Sequence, residues 1–404
     1  MRLGVVTLCL ATACGRLGFD PFASGGGGGG DATLPPDSPT PCSTASQQLG
    51  IDAAGIMQGL QWVETLFVVP TTGGFDAVYI APDNSLIGAQ YNGQAGSYTL
   101  AGPDVTVSGS NTVTTAAGGI EVGGNLLLAS NSFTTGMTLM FEVNAALGSV
   151  AGSSNLAVNA TTRPIATSGD GSTQALLWGG GTAALSAVLV NNRGAMTSAA
   201  TTIAPAAQGA TGAAIAPAAQ GFVATWIDNQ ANPAIVHAEV LDSALAVTVP
   251  DTAISASDTI AFQPDVGWAS TAGKYLFAWS QNNEVWAQLT DATLQLVGAP
   301  VQLGTGTVPR VASDGTSFWV VWDDPSSTSQ LSAAIVNATN NPGHTAVKPV
   351  LGTGGTVIAW DLRTVGGSPI LVWYERFPST TGCGGTSPPA ACYSPLWAVP
   401  SCQL

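Results

Sequence analysis

The chain has 404 residues, 45% of them hydrophobic but only 8% charged, with nine Lys and Arg against 24 Asp and Glu and a formal charge of −15. An average soluble domain carries about 25% charged residues, so this chain is charge-poor roughly threefold. So few basic groups exclude a nucleic-acid or anionic-lipid surface, both of which need clustered Lys and Arg, and the apolar content excludes wholesale disorder.

Met1-Arg2 makes a short positive start, followed by the apolar run Leu3 to Ala11 and then Thr12-Ala13-Cys14. The run is too short for a membrane-spanning helix and fits the apolar region of a signal peptide, which sets residues 1–13 aside as a targeting segment. Leu10-Ala11-Thr12-Ala13-Cys14 resembles a bacterial lipobox, in which small residues precede a Cys that is lipidated and becomes the new N-terminus. Ala11 stands where the lipobox usually has Leu, and ordinary secretion with cleavage after Ala13 is the alternative. Residues 14–41 contain Gly25 to Gly30 and the Pro-rich stretch Leu34 to Pro41 without hydrophobic periodicity, which is the composition of a flexible tether. The start Cys14-Gly15-Arg16-Leu17-Gly18-Phe19-Asp20, leading into a Gly/Asp tract, is similar to the N-termini of myxobacterial-type cell-envelope lipoproteins. The resemblance covers only this stretch and implies an address: an outer-membrane lipoprotein facing the periplasm or the cell surface, joined to the membrane through its lipid.

Residues 42–404 read as one repeating body. Short apolar runs ending in Trp recur at Trp178, Trp226, Trp279, Trp322 and Trp373, and Ala77 to Ile80 and Leu126 to Ala129 keep the phase without the Trp. Each run is preceded by a second apolar segment and a Gly-containing turn, as in Pro264-Asp265-Val266 before Gly273 and Pro309-Arg310-Val311 before Gly315. Two apolar runs around such a turn read as a hairpin. Alternating segments follow, such as His237 to Val240 and Val285 to Leu289, and weaker fourth segments close most units, such as Ala246 to Val249 and Pro300 to Leu303. Four short strands per unit, repeated with a period near fifty residues, resemble a β-propeller. The expectation is an all-β fold of seven four-stranded blades. The last unit lacks an outermost strand before the chain stops, while Cys42 to Trp62 is left unused ahead of the first hairpin, so the N-terminal segment is expected to close the last blade.

Cys42, Cys383, Cys392 and Cys402 remain after the signal region, an even number that in an exported chain argues for disulfides, with three pairings open. On the propeller model Cys42 and Cys402 sit on neighbouring strands at the seam, and Cys383 and Cys392 staple the insertion between Phe377 and Pro395. Zinc needs close Cys and His spacing, which the distant His237 and His344 do not provide.

The repeated Trp residues could stack on sugars, but recurrence at one strand position reads as packing between blades; Trp62, Trp268 and Trp360 fall outside that position. Ser313-Asp314-Gly315-Thr316 and Ser168 to Thr173 faintly resemble the Asp-box turns of sialidase-type propellers but lack the required order, and Asp and Gly serve a turn for backbone reasons alone. Sialidase chemistry would also need clustered arginines, and the body has only Arg163, Arg193, Arg310, Arg363 and Arg376. Asp228, Glu284, Asp323, Asp324, Asp361 and Glu375 follow anchor strands and are placed on one rim, where they could hold Ca²⁺ or act as paired carboxylates, although single acids capping loops are the commoner arrangement. No cofactor and no catalytic residue is assigned. The function expected is an anchored, monomeric binding or scaffold module for an unknown protein or glycan, with a polysaccharide hydrolase or lyase using rim acids as the alternative. A non-repeating polar cluster at one channel mouth would favour binding or catalysis over a scaffold.

Overall fold

The computed structural model describes residues 47–48, 65–80, 85–94, 97–102, 105–108, 113–132, 138–144, 150–156, 160–180, 182–256, 261–327, 330–339, 343–345, 348–349, 356–377, 392–393 and 397–400. They belong to the unit Cys42–Leu404 into which the chain divides after Pro41. The signal-peptide and tether assignments, Cys14, Cys42, Cys383, Cys402 and Trp62 fall outside these residues. The side chain of Cys392 is likewise not described.

The protein is a β-propeller, built from strands with a single 3-10 turn, Ala206–Gln208, among the described residues. The ladders fall into antiparallel groups of four: three four-stranded sheets, two further sheets with four strands in their main path, and one eight-stranded sheet that is two such groups joined. That sums to seven groups. Each begins with an inner strand, in order Leu66–Thr71, Val113–Val122, Ala160–Thr167, Thr211–Pro217, Ala261–Ala269, Thr307–Ser313 and Thr356–Val365. Each inner strand touches the next, and the last touches the first, so the inner strands form a ring.

Seven clusters of buried apolar side chains fill the spaces between consecutive sheets, the seventh and first included. This radial packing buries both faces of each sheet, which is why the strands read as nearly continuous apolar runs: Gly74–Ile80 is buried at every position. The side-chain period of two then assigns alternate residues to opposite neighbours. Phe222, Ala224 and Trp226 pack toward the third sheet, whereas Val223 and Ile227 pack toward the fifth. The anchor residues Trp226, Trp279, Trp322 and Trp373 are almost fully buried, so they fill space between sheets. Trp178 is half-buried. Outer strands such as Val247–Ala253 face solvent along most of their length.

The seam lies where the sequence places it. Gln47 and Gln48 pair with Ala398 and Trp397, making the N-terminal segment the outermost strand of the last group. A second tie crosses the same seam on the inside: the Val68 amide donates to Asp361 Oδ2 at 2.9 Å.

The inner strands are not regular. In the fourth, fifth and sixth groups the register shifts between Thr211 and Ala214, Phe262 and Asp265, and Thr307 and Arg310. Each shift contains a left-handed residue: Gly212 (φ 58°), Gln263 (φ 48°) and Val308 (φ 54°). Glycine enters this conformation freely, but a β-branched valine does so only under strain, so the bulge is imposed by the surrounding sheet. Its effect is to set the side chain that follows it, which in two of these groups is charged.

Because the anchor tryptophans fill closed space, Trp279→Ala is expected to cost about 3–5 kcal/mol in urea unfolding. A loss below about 1 kcal/mol would mean that the neighbouring sheets close the gap without penalty.

Candidate functional site: the channel mouth

Ala214, Asp265, Arg310 and Asp361 occupy one structural position, each paired with the residue just before an anchor Trp: Thr225, Ala278, Val321 and Val372. Successive groups therefore present an acid, an arginine and an acid at the same height of the ring. Arg163, in the third inner strand, pairs in register with Ala214 of the fourth. Its guanidinium crosses the channel, with Nη1 at 2.6 Å from Asp265 Oδ2 and Nη2 at 2.9 Å from Asp361 Oδ1 and 3.0 Å from the Leu362 carbonyl. Arg363 adds a second contact to Asp361, through Nε at 2.8 Å.

Both carboxylates also serve backbone. Asp265 Oδ2 accepts the Val311 amide at 2.8 Å, as Asp361 accepts that of Val68. In each case a carboxylate on one inner strand satisfies an N–H of the next strand in the ring. Asp361 is 3% exposed, and burial alone would raise its pKa. The Arg363 and Arg163 charges and the Val68 N–H outweigh burial and hold its carboxyl below the usual value. Burial and the repulsion of Arg163 lower the Arg310 guanidinium to about 10, with Asp265 and Asp361 opposing that shift. Burial lowers Arg363 in the same way, again reinforced by Arg163.

Toward the end of the ring that carries the first hairpin turns, Arg163, Asp265 and Arg363 floor a cavity of about 560 Å³. Every inner strand contributes to its lining, from Pro70 and Glu121 through Arg163, Pro217, Asp265 and Val311 to Arg363. Its walls are apolar at Ile120, Ile165, Ile215 and Val266, and its rim is polar at Ser270, Ser313 and Thr364. Trp268 lines the cavity and packs on Tyr275 with ring centroids 4.5 Å apart. Glu121 is held at the rim by the Thr72 amide and hydroxyl, at 2.6 and 3.0 Å.

The expected acidic rim is not a site of this kind. Asp361 is corrected outright: it lies within the inner strand Thr356–Val365, buried in the channel, because that strand runs on past Trp360 instead of ending at it. Asp228 and Asp324 are taken up by the backbone N–H groups of their own turns. Asp323 accepts the Trp360 indole N–H at 2.6 Å, which accounts for that tryptophan's polar end. Glu284 pairs in register with Gln281 at a hairpin, and the Glu375 side chain is not described. Among the described residues no group of three or more His, Cys, Asp or Glu is arranged to hold a metal ion. Asp170 and Asp314 accept N–H and hydroxyl groups within their own turns, which is the backbone role expected of them.

The arginines are what the sequence analysis undervalued. Counted along the chain they are few and scattered, yet Arg163, Arg310 and Arg363 converge on the channel, while Arg193 lies at the surface, 3.8 Å from Glu142. The signal was available: in a chain with nine basic residues, three stand in the first, otherwise apolar segment of a repeat. A buried acid outside the cavity lining, Asp76, was not singled out either. It is fully buried, neither carboxylate oxygen has a partner, and desolvation with the charge of Glu121 pushes its pKa up to about 8.

No family model matches the chain, and no curated protein matches it. Solved structures do. The periplasmic gluconolactonase of Pseudomonas aeruginosa superimposes with a TM-score of 0.52 at 13% identity, covering 70% of this chain and 85% of that one. The Dos1 propeller matches with a TM-score of 0.47 at 10% identity, over 79% and 85% of the two chains. At such identities the likeness is one of fold.

Two outcomes follow from the cluster. Arg163→Met leaves buried carboxylates short of a counter-charge and is expected to cost about 3–5 kcal/mol in urea unfolding, part of it regained when Asp265→Asn is added. For Asp76, the native state keeps a proton that the unfolded chain loses between pH 3.8 and about 8, so stability falls as pH rises through that window. Asp76→Asn should therefore gain on the parent progressively across it and show no such gain below it; parallel stability profiles would contradict the assignment.

Proposed function

We propose that the protein is an exported, lipid-anchored, seven-bladed propeller of the bacterial outer membrane that binds a small molecule in its channel mouth. The observation that carries this is the cavity itself. It is assembled from every inner strand, yet the polar residues at its floor and rim do not repeat. A ring serving only as a scaffold has no use for a charged, non-repeating floor, because each buried ion pair costs desolvation that apolar packing would avoid. The volume lies within the range typical of small-ligand sites, roughly 300–1,000 Å³, and the combination of apolar walls with a few convergent polar groups is typical as well.

Binding is favoured over hydrolysis by the state of the acids. A general acid working near neutral pH needs a raised pKa, whereas Asp361 is held low by two guanidinium groups and a backbone N–H. Asp76, Glu239 and Asp323 have raised pKa values, each through burial first, but none of them lines the cavity. The anchor rests on the Cys14 motif and the Gly/Pro stretch after it. On this proposal Cys42–Cys402 and Cys383–Cys392 are disulfides that lock the seam and the final insertion.

Screening the whole chain against glycans and low-molecular-mass envelope extracts, with mass-spectrometric readout, tests the binding role. Ser270→Trp, which places a large ring at the exposed rim, should abolish any retained ligand while leaving the unfolding midpoint unchanged; a ligand retained equally by this variant lies elsewhere. Cys14→Ala should move the protein from the membrane fraction to the soluble fraction, and unchanged partitioning would remove the lipid anchor from the proposal.

A further inference from the structure

Within the proposed binding role, on which this inference rests, we infer that the ligand is a small organic acid whose single carboxylate docks on Arg363. The floor of the cavity presents guanidinium groups. Arg163, Arg363 and Asp265 line it, Asp361 stands behind them, and Arg310, outside the lining, faces Asp323 as well as Asp265 and Asp361. In a chain with nine basic residues and a formal charge of −15, two arginines in one cavity wall are a local exception.

The geometry leaves Arg363 as the guanidinium with donors to spare. Arg163 spends Nη1 on Asp265 and Nη2 on Asp361 and the Leu362 carbonyl. Arg310 does not line the cavity, and its recorded hydrogen bond runs from Nη1 to the Pro309 carbonyl at 3.3 Å. Arg363 lines the cavity, is 20% exposed at its side chain and engages Asp361 through Nε alone. Its two Nη groups have no hydrogen-bond partner among the described residues. With Nε held, the guanidinium plane is fixed and the Nη edge remains a planar fork of donors, the shape that pairs with a carboxylate. Two buried polar atoms at the same floor are also unpartnered: Nε of Arg163, a side chain 7% exposed, and Oδ1 of Asp265, 1% exposed. The floor is thus incomplete as a self-contained ion-pair network, which a purely structural cluster would not be.

Charge and walls narrow the ligand. The single free guanidinium edge matches one carboxylate, and the Glu121 and Asp314 carboxylates lining the cavity oppose a second. Ile120, Ile165, Ile215, Val266 and Trp268 offer contact to a carbon skeleton, and an inorganic anion would leave them wet.

Isothermal titration of the whole chain with D-glucuronate and phenylacetate, their uncharged amides and inorganic phosphate tests this. At least one acid should bind saturably, and tighter than its own amide by about tenfold or more, the worth of a charge-assisted hydrogen bond. Arg363→Gln should remove that preference while Arg363→Lys retains part of it. The comparison of acid with amide on the unaltered protein needs no variant, so a folding defect in Arg363→Gln does not obscure the result. Equal binding of acid and amide overturns the carboxylate assignment and leaves the binding role standing. Phosphate binding alone overturns it in favour of an inorganic anion. Silence from every probe overturns it too, and the extract screen with Ser270→Trp then decides the binding role separately.

Discussion

The salt bridges of Arg163 to Asp265 and Asp361 span the channel and join three inner strands that are far apart in the chain, with sequence separations of 102 and 198 residues. A ring of inner strands has a physical difficulty that a flat sheet does not. Each strand bonds outward to its own sheet, and its other edge, facing the channel, carries backbone N–H groups with no ladder to satisfy them. At Val68 and Val311 this protein answers with a carboxylate from the preceding inner strand. Those carboxylates are buried and need cations, and the arginines supply them. Backbone accounting, ion pairing and ring closure are therefore one arrangement, and the Nη edge of Arg363 is what remains once it is complete.

Much of the fold is legible in the sequence because it rests on periodicities. The recurrence of Trp226, Trp279, Trp322 and Trp373 fixes the second strand of each repeat, and the apolar segments before and after it fix the first and third. The closing strand follows from counting: the last repeat is one strand short and the first has residues to spare. What sequence periodicity cannot express is convergence across the axis. Arg163, Asp265 and Asp361 lie in different repeats and meet only after the ring has closed. The misplacement of Asp361 has a local cause, since the apolar run stops at Trp360 while the strand continues through polar residues to Val365. The bulges at Gln263 and Val308 are equally silent, because nothing in either residue type announces a left-handed backbone.

The scarcity of charge acquires a meaning from this arrangement. Strands packed on both faces leave little surface for Lys and Glu, and the loops are capped by Asp, Ser and Thr acting on their own backbone. Where charge enters the channel, Asp265, Arg310 and Asp361 stand at one height of it. A net acidic chain repels anions at long range, so on the proposed function selectivity for an acid rests on the contact geometry at Arg363 rather than on steering from bulk solvent.

The pairing of Gln47 and Gln48 with Trp397 and Ala398 has a consequence for how the molecule is made. The residues that leave the synthesising machinery first must wait for those that leave last before they find their partners. Until then the growing chain is an open stack of sheets with an exposed flank at each end, and the charges that will meet across the axis are dispersed. Closure is a single late event that seals the outer ladder and, through Asp361 and Val68, the inner one.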